Sequence, residues 1–310
     1  MTSVSDTVTV LPGLGHLIEL AAVALFAWCW LQLRRQGAGE HRELILAALY
    51  GWLLEALDMR IFGTYHYGRI VWWWLADVPL YIPLLWATIV HSSMALSDRS
   101  GLPDWARPFL DGVLAVLIDL TIDAVAIRVG LWHWRLTFSE GWFGVPAGNL
   151  YAWMWVAWWY SAATRWVRRR AGGRGAGWKW LLLPVVAYAG LLSTLLGAGW
   201  LGRALGLQSQ NQRLWMFAAH AATFGAIVWI AARRRTPSAP RGSIVSSLRW
   251  NRWLIHGSFL LVLAISGIWQ RVPALVVVAI ASIVLERALR DWCECRPASV
   301  ELQTASHFMG

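Results

Sequence analysis

Apolar runs long enough to cross a bilayer, about 20 residues each, recur along the whole chain. They fall near residues 14–33, 44–61, 78–96, 108–130, 148–166, 179–201, 212–232, 250–269 and 272–290. The pattern predicts an all-α, polytopic integral membrane bundle of about nine transmembrane helices. The last two are joined tightly around Trp269-Gln270-Arg271. The segment 233–249 is rich in Arg, Ser and Pro and reads as a linker. It would separate a seven-helix body, 1–232, from a two-helix membrane tail with a short cytoplasmic end, 250–310.

Composition supports a membrane protein. Hydrophobic residues make up 58% and charged residues 14% of 310, with a mean hydropathy of +0.48. An ordinary soluble chain is about 45–50% apolar and about 25% charged, so these few charges would not coat a soluble surface. The same arithmetic excludes disorder. There are 25 Trp, a residue that favours the membrane–water interface.

The net charge is +10, and 26 of the 27 basic residues are Arg. They sit in short loops rather than on one folded face, which argues for topology signals and against a nucleic-acid partner. With the N-terminus outside and the C-terminus cytoplasmic, 20 of the 27 would lie on the cytoplasmic side. That count includes Arg249 and Arg252. The positive-inside rule favours this orientation, as expected of a protein of a bacterial cytoplasmic (inner) membrane. Met1–Gly15 lacks the basic region of a signal peptide.

A weak internal repeat runs through the first half. Val78-Pro79 precedes Trp86 and Val145-Pro146 precedes Trp153 at identical spacing. Upstream stand the triplets Tyr65-His66-Tyr67 and Trp132-His133-Trp134, and upstream again two acidic helices. Helix 2 carries Glu55 and Asp58, and helix 4 carries Asp119 and Asp123. Spacings of three and four put each pair on one helix face.

Carboxylates inside a bilayer are expensive and by default mark function. The structural alternative pairs them with Arg60, Arg128 or hydroxyl groups. Carboxyl groups crowded together in an apolar setting favour their neutral form. A neutral acid there can give a proton to a weak base, while an ionised neighbour orients or deprotonates water. That is the chemistry needed to protonate an alkene. Aromatic faces would help a carbocation by cation–π attraction, and Trp72, Trp73, Trp74, Trp142 and Phe143 join the two triplets in supplying them. For most of these rings an interfacial aromatic belt is the better account.

Other chemistries are less well supported. The eight His are scattered and form no metal box; His66 and His133 would be the one pair to share a metal, and an interfacial role fits them better. The three Cys form no metal finger or disulfide framework. Gly172-Gly173-Arg174-Gly175 follows no strand and reads as a loop, not a nucleotide site. Glu19 and Asp111 read as structural. Asn149 is placed either to cap helix 5 or to hold a water or substrate.

Taken in order, these residues resemble the membrane-bound carotenoid biosynthesis hydratases of the CruF type. The matching stretches are Glu55, Phe62-Gly63-Thr64-Tyr65-His66-Tyr67, and Val78-Pro79 through Trp86. A second block holds Asp119 to Asp123, Gly130 to Trp134, Trp142 to Pro146, Asn149 and Trp153. Ala124 stands where the family pattern has Pro, and helices 8 and 9 have no counterpart. The resemblance implies addition of water to the terminal double bond of an acyclic carotenoid, giving a tertiary alcohol. Glu55, Asp58, Asp119 and Asp123 are the expected catalytic residues. Tyr65, His66, Tyr67, Trp86, Trp132, His133, Trp134, Asn149 and Trp153 are expected to line the substrate site. The addition is redox-neutral, so no cofactor and no metal is expected. The partners are membrane lipid and a hydrophobic isoprenoid, and the oligomeric state is left open. Two rivals stay open: an isoprenoid cyclase using the same acid, and a lipid transporter or binding protein whose acids relay protons.

Overall fold

The structure is a computed structural model that describes residues 8–9, 11–37, 39–170, 177–236 and 246–295. Gly172–Gly175, the middle of the expected linker and the end of the expected tail lie outside these residues. Among the described residues, nine long helices follow the apolar runs: α1 (Leu14–Gln36), α2 (Glu40–Ile61), α3 (Tyr81–Ser97), α4 (Arg107–Ala126), α5 (Ala147–Arg170), α6 (Gly177–Ala204), α7 (Gln210–Ala232), α8 (Ser246–Ile265) and, after the one-turn α9 (Ile268–Arg271), α10 (Ala274–Glu294). Length and apolarity mark three of them, α1, α6 and α7, as candidate membrane spans. The described chain is thus all-α, with three helices long and apolar enough to cross a membrane. The others carry polar or charged residues that turn inward.

The centre of the bundle is α4, with 16 of its 20 residues buried. A helix apolar on every side belongs in such a position. Around it pack α3, α5, α7, α8 and α10, while α2 pairs with α3 and α6 crosses α2 and α5. Small residues allow the closest crossings. A Cβ on Gly51 of α2 would lie 2.7 Å from Cβ of Trp86 on α3. The helices of the expected tail are therefore packed into the body: Arg252 of α8 bonds Glu286 of α10 at 2.6 Å and Ser93 of α3 at 2.8 Å. Arg252 was expected as a cytoplasmic loop charge; it is instead buried, because an ionised carboxylate and a hydroxyl partner its guanidinium.

The repeat is real in three dimensions. Equivalent positions are 67 apart, as 65 and 132, 78 and 145, or 86 and 153 show. Strands β1 (Tyr65–Tyr67) and β4 (Trp132–Trp134) pair antiparallel with Tyr65 opposite Trp134, His66 opposite His133 and Tyr67 opposite Trp132. Strands β2 (Trp74–Leu75) and β3 (Val78–Pro79) pair Leu75 with Val78, and the matching bridge joins Trp142 to Val145. Among the described residues, the non-glycine positions with positive φ are Ala76 (57°) and Phe143 (50°), one in each turn and again 67 apart. Two copies of one helix–turn–helix unit therefore face each other across the His66–His133 pair.

One end of this four-helix core is ionic. Asp98 accepts from Arg165 at 2.9 Å and from Arg168 at 2.9 Å; Arg165 also bonds Asp111 at 2.8 Å, and Arg168 pairs with Glu43. Asp98 lies just past the end of α3, and these guanidinium groups hold its carboxyl below the usual range although burial acts the other way. The opposite end, about 18 Å along α2 at about 1.5 Å per residue, holds the acidic residues singled out above.

Candidate active site

Each acidic pair projects from its helix at this second end. Glu55 and Asp58 of α2 are buried, with 7% and 8% exposure. Three donors converge on Glu55. Tyr65 and Tyr67 both donate their hydroxyls to Oε2, Tyr67 at 2.6 Å, and the Trp86 indole donates to Oε1 at 2.8 Å. Alternation along β1 turns Tyr65 and Tyr67 to the same face, so the short strand is a clamp on one carboxylate. Asp58 accepts from the Tyr188 hydroxyl of α6 at 2.9 Å.

Asp119 and Asp123 lie one turn apart on α4. The Asn149 amide donates to Asp123 at 2.5 Å and to Asp119 at 3.2 Å. The two carboxyl groups thus share one amide donor. Two carboxyl groups crowded on one buried donor favour a single proton between them. Asn149 is not the cap of α5. The helix begins at Ala147, which places Asn149 in the first turn with its side chain turned to α4.

A cavity of ≈ 520 Å³ opens between these groups, within the range typical of small-molecule sites. Glu55, Asp58 and Asp123 face it, with Tyr65, Tyr67, Trp86, Trp132, Trp134, Asn149 and Trp153 in its wall. Asp119 has no exposure and stands behind Asp123. Ring contacts close the wall. Trp86 and Trp153, the two repeat-related residues, sit 4.1 Å apart, and Tyr65 and Trp134 sit 4.7 Å apart.

Not every expected residue is here. His66 and His133 are absent from the cavity wall. The same alternation that turns the tyrosines inward turns these rings outward, where they stack at 5.1 Å. His133 is partly buried against His66, and both effects lower its pKa, desolvation first. Among the described residues no group of three or more His, Cys, Asp or Glu is arranged to hold a metal. Trp142 bonds the Leu120 carbonyl at 2.8 Å, and Arg128 bonds the carbonyls of Ala124 and Phe143, each at 2.7 Å. Glu19 accepts from the backbone amides of Trp72 and Trp73 at 2.9 Å, a structural pin on the β2 loop.

Other wall residues went unnoticed in the sequence. Tyr188, the Asp58 partner, is a lone Tyr in an apolar helix and carries no local signal. Leu195, Ala198, Gly199 and Gly202 of α6, Gln210, Arg213, Met216 and Phe217 of α7, and Arg135 beyond β4 also line the cavity.

Comparison with known proteins gives one match. Residues 13–207 match the family model of the carotenoid biosynthesis proteins. No curated protein and no solved structure matches the chain. The matched span exceeds half of the 310 residues and holds all four acidic residues of the cluster, so the chain belongs to the carotenoid biosynthesis protein family.

Proposed function

We propose that this protein protonates the terminal alkene of an acyclic carotenoid or related polyprenyl chain and adds water to the resulting cation. One observation carries the reading: three buried carboxyl groups from two facing helices open onto one cavity with a largely aromatic wall. The proton shared by Asp119 and Asp123 is the acid, delivered from Asp123, which faces the cavity. Glu55 has three donors and needs none of its own protons to satisfy them, which suits an ionised carboxylate.

The steps balance. The alkene π electrons take the Asp123 proton and leave a tertiary cation. The faces of Trp86, Trp132, Trp134 and Trp153 and the Glu55 charge stabilise it. A water oxygen bonds to the cation while its proton passes to a carboxylate, first Glu55 or Asp58, and returns to the Asp119–Asp123 pair. Nothing is oxidised or reduced, so no cofactor is required. A hydro-lyase acting on a membrane-dissolved substrate follows. The N-terminus is outside in this reading, so the ionic end of α2–α5 is cytoplasmic and the site lies in the outer half of the bilayer of a bacterial cytoplasmic membrane. Residues 1–232 carry the chemistry, and the two tail helices buttress α3 and α4.

The test is expression beside an acyclic carotenoid pathway, with carboxamide variants. Glu55→Gln and Asp123→Asn should each abolish the hydrated product while the protein still accumulates in the membrane. The double variant should be little worse than either single, because members of one acid–base unit act non-additively. Trp132→Phe should be milder, since a π face remains. A product isomeric with the substrate would mean that an internal alkene captures the cation, as in a cyclase. Near-normal turnover in both carboxamides would remove the carboxylates from the mechanism and favour a transporter or binding protein.

A further inference from the structure

The cavity is not closed on all sides by the four-helix core. Its far wall comes from α6 and α7, which lean on different partners: α6 on α2 and α5, α7 on α4 and α5. The two helices make little contact with each other. Both are candidate membrane spans whose surfaces are mostly unburied. Between two helices apolar enough to cross a bilayer, a gap opens sideways toward the acyl chains, with Gln210 and Arg213 of α7 at its polar end.

The α6 face on that gap is small: Ala198, Gly199 and Gly202. Gly202 is buried, yet a Cβ built on it meets no atom within 4 Å, and one on Gly199 meets only the end of Arg203 at 3.8 Å. Neither glycine has a positive φ. Helical glycines cost roughly 1 kcal/mol each against alanine, and here no close packing against a neighbour repays that. Space itself is what they provide. Across the gap α7 presents Gln210 and Arg213 in its first turn and then Met216 and Phe217, the last two supplying adaptable apolar contact.

We propose that the α6–α7 gap is a lateral doorway that admits the end of a long linear isoprenoid from the bilayer and holds the rest of the chain between Gly199, Gly202 and Met216. The proposal rests on the functional reading above. It specifies the substrate class as a long, thin, apolar chain whose end alone enters the cavity. A ≈ 520 Å³ cavity suits a drug-sized body, so an extended polyene must leave through an opening, and this one lies between two candidate membrane spans. Compact ring-bearing isoprenoids would fit the cavity but not the slot.

The test uses the full chain in lipid vesicles with parinaric acid, a linear conjugated polyene, as the binding probe, read by energy transfer from tryptophan. Gly202→Phe and Met216→Trp each narrow the slot from one side and should weaken probe binding at least ten-fold. Gly197→Phe, on an exposed face of α6 outside the cavity wall with no atom near its Cβ, should leave binding unchanged. Met216→Trp changes no glycine, so it reports even where Gly202→Phe fails to insert. Unchanged binding in the inserted slot variants overturns the doorway. The same variants are assayed for turnover. A wild type that binds the polyene through the slot but forms no hydrated product defeats the functional reading and leaves the doorway standing. Normal hydration with binding and turnover untouched by both slot variants defeats the doorway alone.

Discussion

Removing the Tyr67 hydroxyl tests how Glu55 is held. Tyr67 is 8% exposed and donates to Glu55 Oε2 at 2.6 Å. Tyr67→Phe keeps the ring and its edge contact with Trp132, 6.2 Å between centroids, so the bond is the main loss. A hydrogen bond to a charged group contributes about 1.5–3 kcal/mol, and one to a neutral group about 0.5–1.5 kcal/mol. If Glu55 is ionised, Tyr67→Phe should lower unfolding stability in mixed micelles by the larger amount. In a Glu55→Gln background the same change should cost only the smaller amount. The double-mutant cycle should therefore return a coupling of about 1 kcal/mol or more. Turnover should fall about 10–100-fold, since each 1.4 kcal/mol is about a factor of ten. A Tyr67→Phe cost within about 0.5 kcal/mol in both backgrounds, with turnover intact, would refute a charged, clamped Glu55.

Further outcomes follow from other parts of the molecule. Arg165→Met takes the ion-pair partner from the fully buried Asp111 and leaves Asp98 with Arg168 and Arg107; it should cost about 3–5 kcal/mol, read as a lower melting temperature with unchanged turnover per folded molecule. Gly51→Ala places a methyl 2.7 Å from Trp86 Cβ; overpacking of this kind costs about 1–3 kcal/mol, and the shifted indole should slow turnover as well. His133 lies outside the helices and its pKa is lowered by burial and by His66. The unfolded chain therefore takes the proton first as pH falls below 6.5, and stability is lost on the acid side. Backbone hydrogen exchange at β1 and β4 should quicken over that range, and His133→Gln should flatten the dependence.

Helix positions were legible because each is a long apolar run, and a run that long has few alternatives to a buried or membrane helix. Their ends were less so. The expected helix at 78–96 begins at Tyr81, because Val78-Pro79 pairs with Trp74-Leu75 instead. The expected 108–130 helix stops at Ala126 and tightens into a 3₁₀ turn before Gly130, whose φ of 76° suits glycine alone. The acidic residues were legible through the cost of charge in an apolar run. Their partners were not. The tyrosines of β1 bond Glu55 only because the turn folds back over α2, and Tyr188 reaches Asp58 from 130 residues away. Arg252 misled for the same reason: a charge at a helix start looks like a loop signal unless its acceptor, Glu286, is seen 34 residues on. His66 and His133 shared the motif with their neighbours, and strand alternation separated them.

Oxygen-18-labelled water gives the most direct test of the central claim. Membranes carrying the protein are supplied with an acyclic carotenoid in that water, and the products are weighed by mass spectrometry. Hydration by an Asp123 acid should add the elements of one water molecule to a reacted end, with its oxygen heavy, in the wild type and not in Asp123→Asn. An unchanged substrate, a product of unaltered mass, or a product whose new oxygen is unlabelled would contradict it.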